Sequence, residues 1–96
     1  MTALAVQLVL LAATDLQAVD LPADATILGV HVRAGAVVLY VMGDPRAPTR
    51  RAHVLMVGTG QEIASTIARW PFVGSVKLDA ELMLHVFADP ATAVRR

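Results

Sequence analysis

Glycine and proline punctuation constrains the fold of this chain more than any other feature of its sequence. Six glycines and five prolines divide the 96 residues into short, mostly apolar runs. Runs of about four to eight apolar residues between such breaks are typical of β-strands and too short for most helices. The chain also contains 14 valines, whose β-branched side chains fit a pleated sheet. The pattern therefore predicts an all-β fold.

The runs place seven strands in a single β domain that spans residues 1–96. The pair Ala34–Gly35 fits a two-residue hairpin connection, because glycine adopts a positive φ at little cost. A second tight connection at Asp79–Ala80 predicts a hairpin over Phe72–Ala88. Seven short strands with frequent turns are typical of a sandwich or a barrel. The predicted strands are Leu4–Leu11, Leu16–Leu21, Thr26–Arg33, Ala36–Met42, Arg51–Val57, Phe72–Leu78 and Leu82–Ala88.

Side-chain alternation predicts which residues of a strand share a face. In the strand Thr26–Arg33, Leu28, Val30 and Val32 recur every second residue, so we expect them on one face and His31 on the other.

The segment Gln61–Arg69 fits two structures. Ile63 and Ile67 are four residues apart, as on one face of a helix, and Thr59 is a residue type that caps helices. Pro71 would stop a helix soon afterwards. The sequence therefore allows either a loop or one or two helical turns here.

The apolar content of the chain exceeds what a domain of this size can bury. Hydrophobic residues make up 56% of the sequence and charged residues 17%, whereas globular domains average about 45–50% and about 25%. A small domain has much surface for its volume, so the surplus should lie on an exposed patch or an interface. We predict a homo-oligomer, most simply a dimer, with contacts from Leu4–Leu11 or Ala36–Met42, which are apolar on both faces.

Charge and cysteine content exclude several classes of protein. Eight basic residues balance eight acidic ones, so general nucleic-acid binding by a broadly basic surface is not expected. The chain contains no cysteine, so it has no disulfide or thiolate chemistry. The apolar stretch Met1–Ala13 is too short to span a bilayer. No Lys or Arg precedes Arg33, although a signal peptide needs a positive start. We therefore predict a buried first strand and no membrane span.

No arrangement of residues in the sequence points to catalysis. The aspartates fall mostly at predicted turns, where Asp hydrogen-bonds its own backbone. His31, His53 and His85 lie in three different strands, and their spacing is not diagnostic of a metal site. We predict no cofactor, no metal and no enzymatic activity. A metal- or His-dependent hydrolase is the least favoured alternative.

Two segments could instead bind a small anion such as a nucleotide. Arginines are densest in the loop before the fifth strand, and arginine presents a planar fork to oxyanions. The Val57–Gly60 turn could offer backbone N–H groups, although it lacks the lysine of a phosphate loop and the third glycine of a dinucleotide fingerprint. Ligand binding is thus the alternative to assembly. Its candidate residues are Arg46, Arg50, Arg51, Thr59, Gly60 and His85.

Several short motifs, in order along the chain, resemble a family of small uncharacterised phage and prophage proteins. The most distinctive are Val57-Gly58-Thr59-Gly60 and His85-Val86-Phe87. The family often has His where this chain has Gln61, and Glu where it has Ala88. The resemblance implies a phage or prophage accessory protein in the bacterial host cytoplasm, which acts by binding or self-assembly and has a host or phage protein as a further partner. The remaining similarities are at Val19–Pro22, Ala25, Ile27–Val30, Leu39–Tyr40, Asp44–Thr49 and Val73–Val76.

Overall fold

A computed structural model of the chain describes residues 3–95 and has eight β-strands and no helix within them. Seven of the strands coincide with predicted strands to within two residues at each end, which confirms the all-β prediction. The strands are β1 (Ala5–Leu10), β2 (Leu16–Pro22), β3 (Thr26–Arg33), β4 (Ala36–Gly43), β5 (Thr49–Gly58), β6 (Phe72–Lys77), β7 (Met83–Ala88) and β8 (Ala93–Val94).

The strand that the sequence did not predict is β8. It has two residues and pairs in parallel with the start of β3. The amide of Arg95 extends this pairing by donating to the carbonyl of Ile27 at 2.9 Å. A two-residue strand has no hydrophobic period, so only the folded chain reveals it.

The strands form two sheets that enclose one core. The first sheet has the order β1-β4-β3-β8 and the second the order β2-β5-β7-β6. The connections after β1, β2, β4 and β7 each pass from one sheet to the other, so the fold is a sandwich. Both sheets supply the largest fully buried side chains, which are Leu21, Ile27, Leu39, Val41, Val54 and Val86.

The two strands that are apolar on both faces have different positions. β4 is central, between β1 and β3, and is buried along most of its length. β1 is an edge strand, so the prediction of a buried first strand is wrong. Its outward side chains Val6, Leu8 and Leu10 are 59%, 43% and 64% exposed. Apolar alternation alone does not distinguish a central strand from an edge strand.

A β-bulge in β3 changes the predicted faces of that strand. The pairing with β4 shifts between Ile27 and Gly29, so Leu28 is the extra residue. As a result Ile27 and Val30 both point into the core, and Leu28 does not share their face as predicted. A bulge adds one residue to one strand only, and sequence alternation does not show it.

The segment Gln61–Arg69 forms consecutive turns rather than a helix. Within it, the amides of Ile67 and Ala68 both donate to the carbonyl of Ala64 at 3.0 Å. These bonds close one helical turn, and the backbone does not continue it into a helix. Thr59 does not cap a helix, because its hydroxyl contacts His85.

The Ala34–Gly35 hairpin carries backbone strain. Both residues have positive φ, 51° for Ala34 and 78° for Gly35, and a positive φ is costly for a residue with a Cβ atom. We expect Ala34→Gly to raise the free energy of unfolding by about 1 kcal/mol, since glycine removes this strain. Ala80→Gly, in the other tight connection, should lower it by about 0.5–1 kcal/mol because only the unfolded chain gains freedom there. Urea denaturation measures both, and a destabilised Ala34→Gly variant would contradict the expectation.

Candidate functional site

A cluster of polar side chains on the outer face of the second sheet is centred on the His85 ring. Its Nδ1 lies 2.7 Å from Oγ of Ser75, and its Nε2 lies 2.8 Å from Oγ1 of Thr59. The ring is half-buried and both hydroxyl residues are exposed. The three side chains form one continuous hydrogen-bonded chain at the surface.

The order of the strands in the second sheet brings these residues together. Ser75 in β6 and Val57 in β5 are the two register partners of His85 in β7. Thr59 follows β5 directly, and its amide donates to the carbonyl of Met83 at 3.3 Å. Three of the motifs noted in the sequence therefore each supply one member of the cluster.

The hydrogen-bond roles within this cluster are set by the protonation of the ring. A neutral imidazole has a proton on one nitrogen only, so one hydroxyl donates to the ring and the other accepts from it. A catalytic base must also become a stable imidazolium, usually beside a carboxylate. Among residues 3–95, the only ion pairs within 4 Å join Arg51 to Asp20 and His53 to Asp89. No described carboxylate therefore lies against the His85 ring.

The predicted arginines lie elsewhere, and two have structural partners. The guanidinium of Arg50 donates to the carbonyl of Ala91 at 3.0 Å and to the hydroxyl of Thr92 at 2.7 Å. It thereby fastens the segment before β8 to β5. Arg51 lies opposite Asp20 at 3.7 Å, and both side chains are more than 60% exposed, so this pair contributes little to stability. Arg46 is exposed in the loop before β5.

The six candidate residues therefore fall into two groups. Thr59 and His85 are together, with Gly60 beside them, whereas the arginines lie at the other end of β5. Arg51 and Val57, the register partner of His85, are six residues apart on that strand, which is about 20 Å. A single small ligand does not span that distance, so anion binding stays a prediction for each group separately.

Sequence reasoning missed Ser75 and Asp89. The predicted hairpin did not place Ser75, because a two-residue connection at Asp79–Ala80 would set it opposite Leu84. The structure has a three-residue connection, closed by the Leu78 amide donating to the Leu82 carbonyl at 2.9 Å, so Ser75 lies opposite His85. Asp89 was assigned only a turn, which it does form by accepting from the amide of Ala91 at 2.9 Å. Its second carboxylate oxygen also accepts from the amide of His53 at 2.7 Å, and this long-range contact has no local sequence signal.

Asp89 is the polar anchor of the C-terminal segment. Burial alone would raise the pKa of its carboxyl group. Hydrogen bonds from the His53 amide, the Thr92 hydroxyl and the Ala91 amide, together with the charge of Arg50, favour the ionised form and outweigh burial. The pKa of Asp89 therefore lies below its ordinary value of 3.8.

Two apolar cavities lie at one end of the sandwich. Their volumes are about 160 and about 170 Å³, and both are lined by Ala13, Met56, Leu78 and Leu84. Typical small-molecule pockets are larger, at about 300–1,000 Å³. Neither cavity is lined by any of the six candidate residues.

The outer face of β1 is the other distinctive surface. Val6, Leu8 and Leu10 point away from the core, and Leu4, just before the strand, is 54% exposed. No charged residue or proline occurs between positions 3 and 14. We refer to the exposed side chains of Leu4, Val6, Leu8 and Leu10 as the β1 stripe. It is a continuous apolar surface at the edge of the first sheet.

Two further searches covered residues 3–95. In this part of the chain, His, Asp and Glu side chains form no group of three or more that could hold a metal ion. Nor does it contain a helix with the length and apolar character needed to cross a membrane.

Comparison with known proteins gives one family. Residues 5–96 match a family model described as a domain of unknown function (DUF7352). No curated protein and no solved structure matches the chain.

Proposed function

The chain belongs to the DUF7352 family, whose description states no activity, and we therefore propose a function from the surface of the chain. We propose that it is a non-enzymatic binding protein that self-assembles as a homodimer. The observation that carries this proposal is the β1 stripe, four apolar side chains that are 43–64% exposed. Exposed apolar patches of this kind mark interaction sites on small proteins.

The distribution of exposed apolar residues supports β1 as the contact. Nine large hydrophobic residues are exposed among those that the structure describes, and four of them form the β1 stripe. The other five are spread over β2, β3, β6, the connection into β7 and the first residue of β7. The apolar surplus of the sequence is thus concentrated on one strand.

The total surface area is consistent with a partner. The chain exposes 5825 Å², whereas a monomer of 10.2 kDa is expected to expose about 5,300 Å². The contact proposed here involves one strand of six residues from each copy, which is small for a specific interface. We therefore expect a dimer that dissociates at micromolar concentrations rather than an obligate one.

The alternative functions have less support. The cavities are smaller than typical ligand pockets, and Arg50 already binds the C-terminal segment. The His85 cluster has no described carboxylate that would stabilise a charged ring. These observations favour assembly over anion binding or catalysis.

The biological setting that we propose rests on the sequence motifs. Their resemblance to small phage and prophage proteins supports an accessory role in the cytoplasm of a bacterial host. In that role the dimer would present two copies of its remaining surface to a host or phage protein.

Native mass spectrometry of the protein taken directly from a cell lysate tests assembly against ligand binding. We expect a homodimer with no small molecule bound. A monomer that retains an anionic ligand would contradict the proposed function and favour the alternative. Denaturing the same sample would identify any molecule released.

A further inference from the structure

The edges of the two sheets differ in how they are protected against pairing with another chain. An edge strand exposes unpaired backbone groups, and proteins block such edges with shortness, charge, proline or bulges. The four edge strands here are β1 and β8 in the first sheet and β2 and β6 in the second. β8 has only two residues.

The two edges of the second sheet are also protected. β2 contains Asp20 and ends at Pro22. β6 contains Lys77, and its pairing with β7 shifts between Phe72 and Gly74. A charge and a proline thus protect one edge, and a charge and an irregular register protect the other.

β1 has none of these protections. It has six residues with the sequence AVQLVL, and its register with β4 is continuous from Ala5 to Leu10. In the part of the chain that the structure describes, no strand pairs with its other side. An uncharged, mostly apolar edge of this length with a regular register is a template for a further strand.

The backbone groups on this edge can be assigned. The amide of Leu11 donates to the carbonyl of Val37 at 3.0 Å, and bonding to a neighbouring strand alternates along an antiparallel pair. The amides and carbonyls of Val6, Leu8 and Leu10 therefore point away from β4. The same three residues carry the exposed side chains of the β1 stripe.

We propose that β1 pairs antiparallel with β1 of a second copy across a twofold axis at Leu8, which joins the first sheets into one eight-stranded sheet. This inference rests on the proposed self-association and specifies its geometry. Leu8 lies opposite Leu8 of the second copy, and Val6 lies opposite Leu10. This register uses all three outward-facing residues of each strand and forms about six backbone hydrogen bonds. It also places the exposed side chains of both copies on one face.

A second copy fits this edge better than a charged peptide. Residues 3–14 carry no charge, so the strand does not repel its own copy across the axis. An antiparallel pair around a twofold axis is self-complementary, as closed dimers require. A different protein that adds an extended strand is the competing occupant. It would leave the isolated chain monomeric.

Single-cysteine variants test the register directly, because the chain contains no cysteine. In the proposed dimer, the two Leu8 Cα atoms are about 5.5 Å apart, within the range for a disulfide. The two Val6 Cα atoms are about 14 Å apart, which is too far. We expect Leu8→Cys to form a disulfide-linked dimer under mild oxidation and Val6→Cys alone to form none. A mixture of Val6→Cys and Leu10→Cys should cross-link, since those positions face each other.

Leu16→Cys is the matched control, because Leu16 is 50% exposed on the edge strand of the second sheet. A dimeric protein in which Leu8→Cys fails to cross-link would overturn the edge pairing and leave self-association intact. Equal cross-linking at Val6, Leu8, Leu10 and Leu16 would also overturn it, because it would indicate random collision. A wild-type chain that is monomeric throughout would overturn both the edge pairing and the proposed function.

Discussion

The Leu8→Lys variant is expected to be monomeric at concentrations at which the unaltered chain is a dimer. Leu8 is at the centre of β1 and points outward, so lysine there would lie directly opposite the same lysine of the second copy. Like charges directly opposite each other destabilise a strand pair by about 0.2–1 kcal/mol, and the substitution also removes the apolar contact between the two leucines. The dissociation constant should therefore rise by about tenfold. Size-exclusion chromatography with light scattering measures this change.

The matched control is Leu16→Lys. Leu16 is also an exposed leucine on an edge strand, 50% against 43% for Leu8, but it lies on the second sheet. The Leu16→Lys variant should therefore remain a dimer. Both variants should unfold within about 0.5 kcal/mol of the unaltered chain, because neither side chain packs into the core. Equal effects of the two substitutions on assembly would show that β1 is not the contact.

The Asp89→Asn variant is expected to lose about 2–3 kcal/mol of unfolding free energy at neutral pH. Both carboxylate oxygens accept hydrogen bonds, one from the His53 amide and the other from the Ala91 amide and the Thr92 hydroxyl. An asparagine side chain accepts at one oxygen only, so one donor near its amide group loses its partner. Hydrogen bonds to a charged group contribute about 1.5–3 kcal/mol. Thermal or urea unfolding measures the loss.

Asp79→Asn is the control for this prediction. Asp79 accepts from the Glu81 and Leu82 amides, both at 2.9 Å, through the same oxygen, and an asparagine oxygen can replace it. We expect Asp79→Asn to change the free energy of unfolding only slightly. A loss at Asp79 equal to that at Asp89 would contradict the account of Asp89 as an anchor.

The pH dependence of stability provides a second readout for Asp89. Its folded pKa lies below its ordinary value of 3.8, so the ionised form is stabilised by folding. The contribution is complete above the unfolded pKa of about 4 and disappears as the pH falls through the lower folded pKa. Asp89→Asn should therefore lose less stability than the unaltered chain between neutral pH and strongly acidic pH. An unchanged acid profile would contradict the role of the charge.

Local sequence patterns predicted the strands because glycines and prolines mark the ends of most of them. Glycines, prolines and valines predicted the positions of seven strands. Turn chemistry predicted the hairpin at Ala34–Gly35 with its register, and it predicted the hairpin over Phe72–Ala88 with a connection one residue too short. The bulge at Leu28 and the strand β8 were missed, because both depend on pairing with a distant strand. Apolar residues on both faces also concealed that β1 lies at an edge.

The candidate site was less predictable because it depends on the order of the strands. Thr59 and His85 were both singled out, yet their contact with Ser75 exists only because β7 lies between β5 and β6. Arg50 was interpreted as a ligand-binding residue from its charge. The structure shows that its guanidinium fastens the C-terminal segment, a role that a one-dimensional pattern does not reveal.

Sedimentation equilibrium of the unaltered chain tests the central claim of self-assembly through β1 most directly. Over a concentration range from below one to about a hundred micromolar, we expect a reversible monomer–dimer equilibrium, as a small interface implies. The mass should rise from 10.2 kDa towards twice that value, and Leu8→Lys should shift this rise to higher concentrations. A mass of 10.2 kDa for the unaltered chain at every concentration would contradict the account.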